Sequence, residues 1–175
     1  GDKVAVMLPN CPEFVVSYFA AQKIGAVAVT LNIMSTAYEL IHFLGDSDAK
    51  VLITTSAMAK RYEEIKGQAP LCRHLIVPDS ENGDSAFTKA VAEGPFDLDM
   101  PAIADEDPAV IIYTSGLTSK SLGAVLTHGG LVGQSELLMI LFGLAKEDRV
   151  ISIIPLFHSF GAVANMLCPI RVGAS

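Results

Sequence analysis

Short valine- and isoleucine-rich runs alternate with helix-forming stretches along this chain, and no other feature constrains its fold as tightly. The runs are KVAVMLP (3–9), AVAVTLN (26–32), AKVLITT (49–55), HLIVPD (74–79) and AVIIYTSG (109–116). They lack the apolar–polar alternation of a half-exposed strand, so both of their faces are expected to be buried. Between them lie NCPEFVVSYFAAQKIG (10–25), STAYELIHFLG (35–45), AMAKRYEEIKGQA (57–69) and SAFTKAVAEG (85–94), all with helical patterning. Asn10 with Glu13 and Pro12 marks one helix start, Thr36 with Glu39 predicts a capping box, and Gly25 and Gly45 suit helix stops. Strict β/α alternation implies an α/β fold: a layered, mostly parallel sheet flanked by helices. In such sheets ligands bind outside the carboxyl ends of the strands.

The stretch GPFDLDMPAIADEDP (94–108), rich in prolines and acids, is the best linker and divides the chain near residue 100. Residues 1–100 form a first βα unit and residues 101–175 begin a second. In the second unit GAVLTHGG (123–130) reads as a strand returning from a loop and LVGQSELLMILFGL (131–144) as a helix. DRVISIIPLF (148–157) reads as a strand and SFGAVANMLCPIRVG (159–173) as a mostly buried helix.

Composition narrows the classes of function. Apolar residues make up 51% of the chain and charged ones 18%, which argues for a packed interior. A net charge of −7 with no basic block argues against a nucleic-acid surface. An anionic ligand would have to be held by local dipoles and a few cations. The longest apolar runs, such as LLMILFGLA (137–145), are too short for a transmembrane segment, and GDKVAV lacks the form of a leader. Cys11, Cys72 and Cys168 lack metal-ligand spacing and read as buried thiols in a reducing compartment, the cytoplasm. The start at Gly1 and the stop after IRVGAS suggest a piece of a longer chain.

The chemistry concentrates in YTSGLTSKSLGAVLTH (113–128), where hydroxyls, glycines and one lysine follow a buried strand. Gly116 and Gly123 tolerate positive φ and leave room, so backbone N–H groups can approach an anion. Thr114, Ser115 and Thr118 add hydroxyl donors, and Lys120 adds a full charge. Such groups orient a triphosphate and stabilise charge on a phosphoryl centre. A Walker A loop requires a glycine directly before the lysine and a helix afterwards; here Ser119 precedes Lys120 and a strand is expected to follow. A polar hairpin between two strands accounts for the same composition.

The stretch resembles the phosphate-binding signature YTSGTTGKPKGV-x-LTH of the adenylate-forming superfamily: acyl-CoA synthetases, luciferases and the adenylation domains of peptide synthetases. GDKVAVMLPNCPEFVVSYFAAQKIGAVAVTLN, ELIHFLGDSDAKVLIT and PLFHSFG resemble other family segments in the same order, so the likeness covers nearly the whole chain. It implies attack of a carboxylate on the α-phosphate of ATP with Mg²⁺ assistance, then transfer of the acyl group to coenzyme A. By position Thr114, Ser115, Gly116, Leu117, Thr118, Ser119, Lys120 and Gly123 fall on the nucleotide loop, with Thr118 toward the metal. His158 falls on the motif histidine near the carboxylate and α-phosphate, and Phe160 and Gly161 on the start of the acyl pocket. For a lone histidine in this place, capping of the following helix is the competing role. The LFHSFG form points to a fatty acid as the small-molecule carboxylic acid.

The chain departs from the signature at Leu117, Ser119, Ser121 and Leu122. A hydroxyl donor lost from a charged phosphate costs about 1.5–3 kcal/mol. Ser119 adds roughly 1–2 kcal/mol of strain if that position needs positive φ, and a lost exposed cation costs about 0.3–1 kcal/mol. Together they are expected to slow turnover about a hundredfold or more. The resemblance places the adenine-binding Tyr-Gly-x-Thr-Glu stretch, the ribose-binding aspartate, the hinge and the small C-terminal domain beyond Ser175. The isolated piece is therefore expected to be inactive. A drifted, non-catalytic binding or scaffold domain and a synthetase for an aryl or other acid are the alternatives.

Overall fold

The computed structural model describes residues 1–78, 86–94, 97, 99–114 and 121–175. Its elements alternate as expected: β1 (Lys3–Met7), α1 (Pro12–Lys23), β2 (Val27–Thr30), α2 (Ala37–Asp46), β3 (Ala49–Thr54), α3 (Ser56–Ile65), β4 (His74–Ile76) and α4 (Ala86–Glu93). Then follow β5 (Pro108–Tyr113), β6 (Gly123–Thr127), α5 (His128–Phe142), α6 (Ser159–Ala162) and α7 (Cys168–Val172), with a π-helical turn at Val163–Leu167 joining the last two.

One six-stranded sheet runs in the order β4-β3-β1-β2-β5-β6. The first five strands are mutually parallel, and β6 returns antiparallel along β5. Pairing of β2 with β5 carries the sheet across the acidic linker. Because side chains alternate along a strand, β1 sends Val4 and Val6 to one face and Ala5 and Met7 to the other. The first face is covered by Phe14 and Tyr18 of α1, Leu131 of α5, Met166 of the π-helical turn and Cys168 of α7. The second is covered by Leu40, Phe43 and Leu44 of α2 and by Tyr62 and Ile65 of α3.

Local signals behaved unevenly. The capping box of α2 is complete: the Thr36 hydroxyl accepts from the Glu39 amide, and the Glu39 carboxylate accepts from the Thr36 amide at 2.7 Å. The α2 helix runs one residue past Gly45, and Asp48 takes the positive φ (54°) at the turn into β3. At α1 the expected Asn10–Glu13 cap does not form; Cys11 is the N-cap, without a side-chain bond, and Pro12 opens the helix. The Asn10 side chain is spent elsewhere, on residues far along the chain.

That partner explains a second difference. Residues 148–157 have strand composition but form no strand, because no strand of the sheet lies beside them. Ile151 and Ile153 are largely exposed at 75% and 78%. The Asn10 amide supplies the missing ladder instead. Its Nδ2 donates to the carbonyls of Ser152 (2.9 Å) and Ile154 (3.0 Å), and its Oδ1 accepts from the Leu156 amide at 2.8 Å.

Candidate functional site

At the carboxyl ends of β2 and β5 lies a cleft of about 560 Å³. Thr30, Asn32, Ser35 and Glu39 form one side of its lining, and Tyr113, Thr114 and Ser121 another, with Phe157, His158 and Ser159 across from the strand ends. Its position follows from topology, since loops leaving parallel strands at this end diverge and leave a crevice.

The β5–β6 hairpin forms the first wall. Tyr113 pairs with Gly123, and beyond that pair the Thr114 amide donates to the Leu122 carbonyl at 3.1 Å, as does the Thr114 hydroxyl at 3.3 Å. Thr114 and Gly123 are thus placed at the neck of the hairpin. Ser115, Gly116, Leu117, Thr118, Ser119 and Lys120 lie outside the described residues. What Gly123 contributes is space and not positive φ. A Cβ there would stand 2.9 Å from the Ile111 side chain and 3.3 Å from the Tyr113 ring. Leu122, where the signature has lysine, is 69% exposed, so a cation there would be well solvated. A strand follows this turn, which is incompatible with the helix a Walker A loop must open.

The Tyr113 phenol is held by the Asp46 carboxylate at 2.7 Å and also donates to the Phe43 carbonyl at 3.3 Å. Burial first, and then the bond to Asp46, push its ionisation well above the usual range. It is a neutral donor at physiological pH.

The second wall is the turn at 155–158. His158 caps α6, its Nδ1 accepting from the Phe160 amide at 3.3 Å. In the neutral ring the proton therefore sits on Nε2. Capping and a site role coexist, because His158 also lines the cleft. Two features besides the Asn10 bond to the Leu156 amide hold this turn. The buried Thr30 hydroxyl at the end of β2 donates to the Phe157 carbonyl at 2.8 Å. Gly161 packs so tightly that a Cβ would lie 2.1 Å from the Pro155 carbonyl oxygen. Gly161 is buried, while Phe160 is 45% exposed and lines a separate groove of about 500 Å³. That groove runs between β6, α5 and α6 and is walled by Val125, Leu126, Leu131, Leu138 and Val163. Ser159 belongs to both the groove and the cleft, so the two meet beside His158.

Sequence reasoning missed Thr30, Asn10, Glu39 and His42 as parts of this region. For Thr30, a hydroxyl at the end of a wholly apolar strand was the available signal. His42 donates from Nε2 to the Ser121 carbonyl at 2.8 Å, a pairing that no local pattern announces. Among the described residues no group of three or more His, Cys, Asp or Glu side chains gathers to hold a metal ion. No helix among them is long and apolar enough to cross a membrane.

Comparison with known proteins agrees with this architecture. The family model described as AMP-binding enzyme matches residues 1–175. A crotonobetaine/carnitine–CoA ligase of Escherichia coli is 34% identical over 164 residues, covering 90% of this chain and 32% of the ligase. Among solved structures, the anthranilate CoA ligase AuaEII in complex with anthranoyl-AMP superposes with a TM-score of 0.91 at 29% identity, over 100% of this chain and 34% of that one. A long-chain-fatty-acid-CoA ligase from Archaeoglobus fulgidus does so with a TM-score of 0.86 at 28% identity and the same coverages, 100% and 34%. The chain thus spans about a third of the length of these relatives. With its sheet order, its hairpin signature and its full-length match, the chain belongs to the AMP-binding enzyme family.

Proposed function

We propose that the protein containing this chain activates a fatty acid with ATP and transfers it to coenzyme A. The observation that carries this reading is the junction at Ser159, where a polar cleft at the strand ends meets an apolar groove beside His158. An acyl tail in the groove would bring its carboxylate to the mouth of the cleft, where His158 Nε2–H can donate to it. The hydroxyls of Thr114, Ser115 and Thr118 and the ammonium of Lys120 would hold the phosphates and orient the α-phosphorus for in-line attack. A carboxylate oxygen then bonds to the α-phosphorus while the bond to the bridging oxygen breaks and pyrophosphate leaves. In the second step the thiol sulfur of coenzyme A bonds to the acyl carbon, the carbon–oxygen bond to phosphate breaks, AMP leaves and the thiol proton passes to solvent.

Mg²⁺ suits this donor set as the ion accompanying the triphosphate, since Mg²⁺ is usually held by few protein groups and by substrate phosphates. The Thr118 hydroxyl would be this chain's ligand. The work is divided as before: residues 1–100 supply the Thr30 side of the cleft and residues 101–175 the phosphate turn, His158 and the groove. The free thiols of Cys11, Cys72 and Cys168 fit a cytoplasmic setting. The relatives named above act on unlike acids, so the choice of a fatty acid rests on the groove and on the LFHSFG motif.

The deciding experiment is acid-dependent ATP–pyrophosphate exchange by the full-length protein, with fatty acids of increasing length, an aryl acid and a short polar acid. Exchange driven by fatty acids is expected. Exchange with the aryl acid alone would overturn the acid class. A folded protein silent with every acid would favour a non-catalytic scaffold, the reading that Leu117, Ser119 and Leu122 support.

A further inference from the structure

Among the described residues the last bonds of the β5–β6 hairpin join Thr114 and Leu122, and the Ser121 carbonyl lies one residue further out. Its partner is taken from a different layer of the fold. His42, in the middle of α2, donates to it from Nε2 at 2.8 Å across 79 residues of sequence. Because a carbonyl only accepts, the ring must carry its proton on Nε2. The contact is braced on both sides. The His42 ring meets the Tyr113 ring edge-on at 5.9 Å, and Phe43 packs on Tyr113 at 4.3 Å. Tyr113 in turn is bonded to Asp46, one helical turn beyond His42. The α2 helix therefore grips both legs of the hairpin: the outgoing leg at Tyr113 and the returning leg at Ser121.

We propose that His42 is a positioning residue for the nucleotide wall of the cleft. It touches no substrate; it fixes Ser121, and through the Thr114–Leu122 bonds it fixes Thr114, both of which line the cleft. The inference rests on the adenylation reading above. Without the brace, the returning leg would have to be ordered at the moment of binding, and that ordering is subtracted from affinity. Loss of a single hydrogen bond of this kind corresponds to about a five-fold weakening. An acid seated in the groove between β6, α5 and α6 is not held by this wall, so its KM should be indifferent to His42.

The test uses the full-length protein with His42→Ala and His42→Gln, because the glutamine amide nitrogen can reach where Nε2 lies. Three quantities are read: the Kd for MgATP by calorimetry, hydrogen exchange of the Thr114 amide, and the KM for the acid. Expected for His42→Ala are a Kd raised about five-fold, faster exchange at Thr114 and an unchanged KM for the acid. His42→Gln should restore Kd to within about two-fold of the parent. An unchanged Kd in His42→Ala overturns the proposal, as does a glutamine variant that restores slow exchange without restoring Kd. Unchanged exchange in His42→Ala overturns the brace itself. Failure of the unmutated protein to bind MgATP would instead sink the adenylation reading, and the role given to His42 with it.

Discussion

The cleft is bounded on one side by α2 and on the other by the segment 150–158, and the two are held in place by opposite means. The α2 helix is stabilised by what lies within it: a complete capping box at Thr36 and Glu39 and an apolar stripe of Leu40, Phe43 and Leu44 buried in the core. The segment 150–158 has no ladder and no stripe. It is suspended from Asn10 and Thr30, 142 and 127 residues away along the chain, tied at Ile151 and Val150 to Asn165 and Ser175, and wedged against Gly161. A wall built locally tolerates change at most single positions. A wall hung on a few distant tethers does not, and His158 sits on the second kind.

The sharpest way to break this contrast is to add one methyl group to each wall. In Gly161→Ala the new Cβ would meet the Pro155 carbonyl oxygen at 2.1 Å. The obstacle is backbone, so no rotamer change relieves it, and a loss of about 3 kcal/mol is expected. Thermal unfolding of the full-length protein should show a large fall in Tm, and activity should fall further than stability because His158 moves with the turn. Gly45→Ala is the control on α2. A Cβ there meets nothing within 4 Å, and its φ is not positive. Relief of backbone entropy should make this variant about 0.5–1 kcal/mol more stable. Equal effects at the two glycines would dissolve the distinction.

Asn10 tests the tethers directly. Asn10→Ala removes the bonds donated to the Ser152 carbonyl and hydroxyl and to the Ile154 carbonyl, and one accepted bond, on an exposed side chain, for an expected loss of about 1–2 kcal/mol. Asn10→Asp should cost more than alanine, since a carboxylate would face the Ser152 and Ile154 carbonyls with no proton to offer. Differential scanning calorimetry of the two variants side by side gives the order. If aspartate is better tolerated than alanine, the tether is not what holds the segment.

The same contrast explains how far the fold and the site were legible in the sequence. Elements whose cause is local could be read: the buried strands from their unbroken apolar runs, α2 from Thr36 and Glu39, the returning β6 from the turn before it. Of the stretches singled out by the family likeness, Tyr113, Thr114, Ser121, Phe157, His158 and Ser159 line the cleft. What failed was each residue whose partner is distant. Asn10 carries an acceptable capping signal, yet its amide is worth more as a substitute ladder for 152–156, and α1 starts at Pro12 without it. Residues 148–157 carry the composition of a strand, but composition does not supply a neighbouring strand. Thr30 stands out as a hydroxyl ending an apolar strand, but nothing around it names its partner, and the ring nitrogen of His42 on a remote carbonyl leaves no trace in the sequence around it.

The smallest effect separates the walls by charge. On α2 the Glu39 carboxyl is held below its ordinary value of 4.5, first by the bond from the Thr36 amide and then by the one from the Thr36 hydroxyl. A lowered carboxyl stabilises the fold above the unfolded value and loses that contribution as pH falls through the folded one. Glu39→Gln keeps a neutral acceptor for the Thr36 amide but not the charge. The parent should therefore be more stable than Glu39→Gln above pH 4.5, and the gap should close as pH drops below it. Partial exposure of Glu39 screens the charge, so the gap is expected to be only a few tenths of a kcal/mol. The side-chain tethers to 150–158 join Asn10, Thr30 and Asn165 to backbone groups and contain nothing that ionises in this range. The Tm difference between the parent and Asn10→Ala should hold constant across the same pH series. If that gap, too, closes below pH 4.5, a carboxylate shares in holding the segment, and its support is not purely the hydrogen-bonded suspension described above.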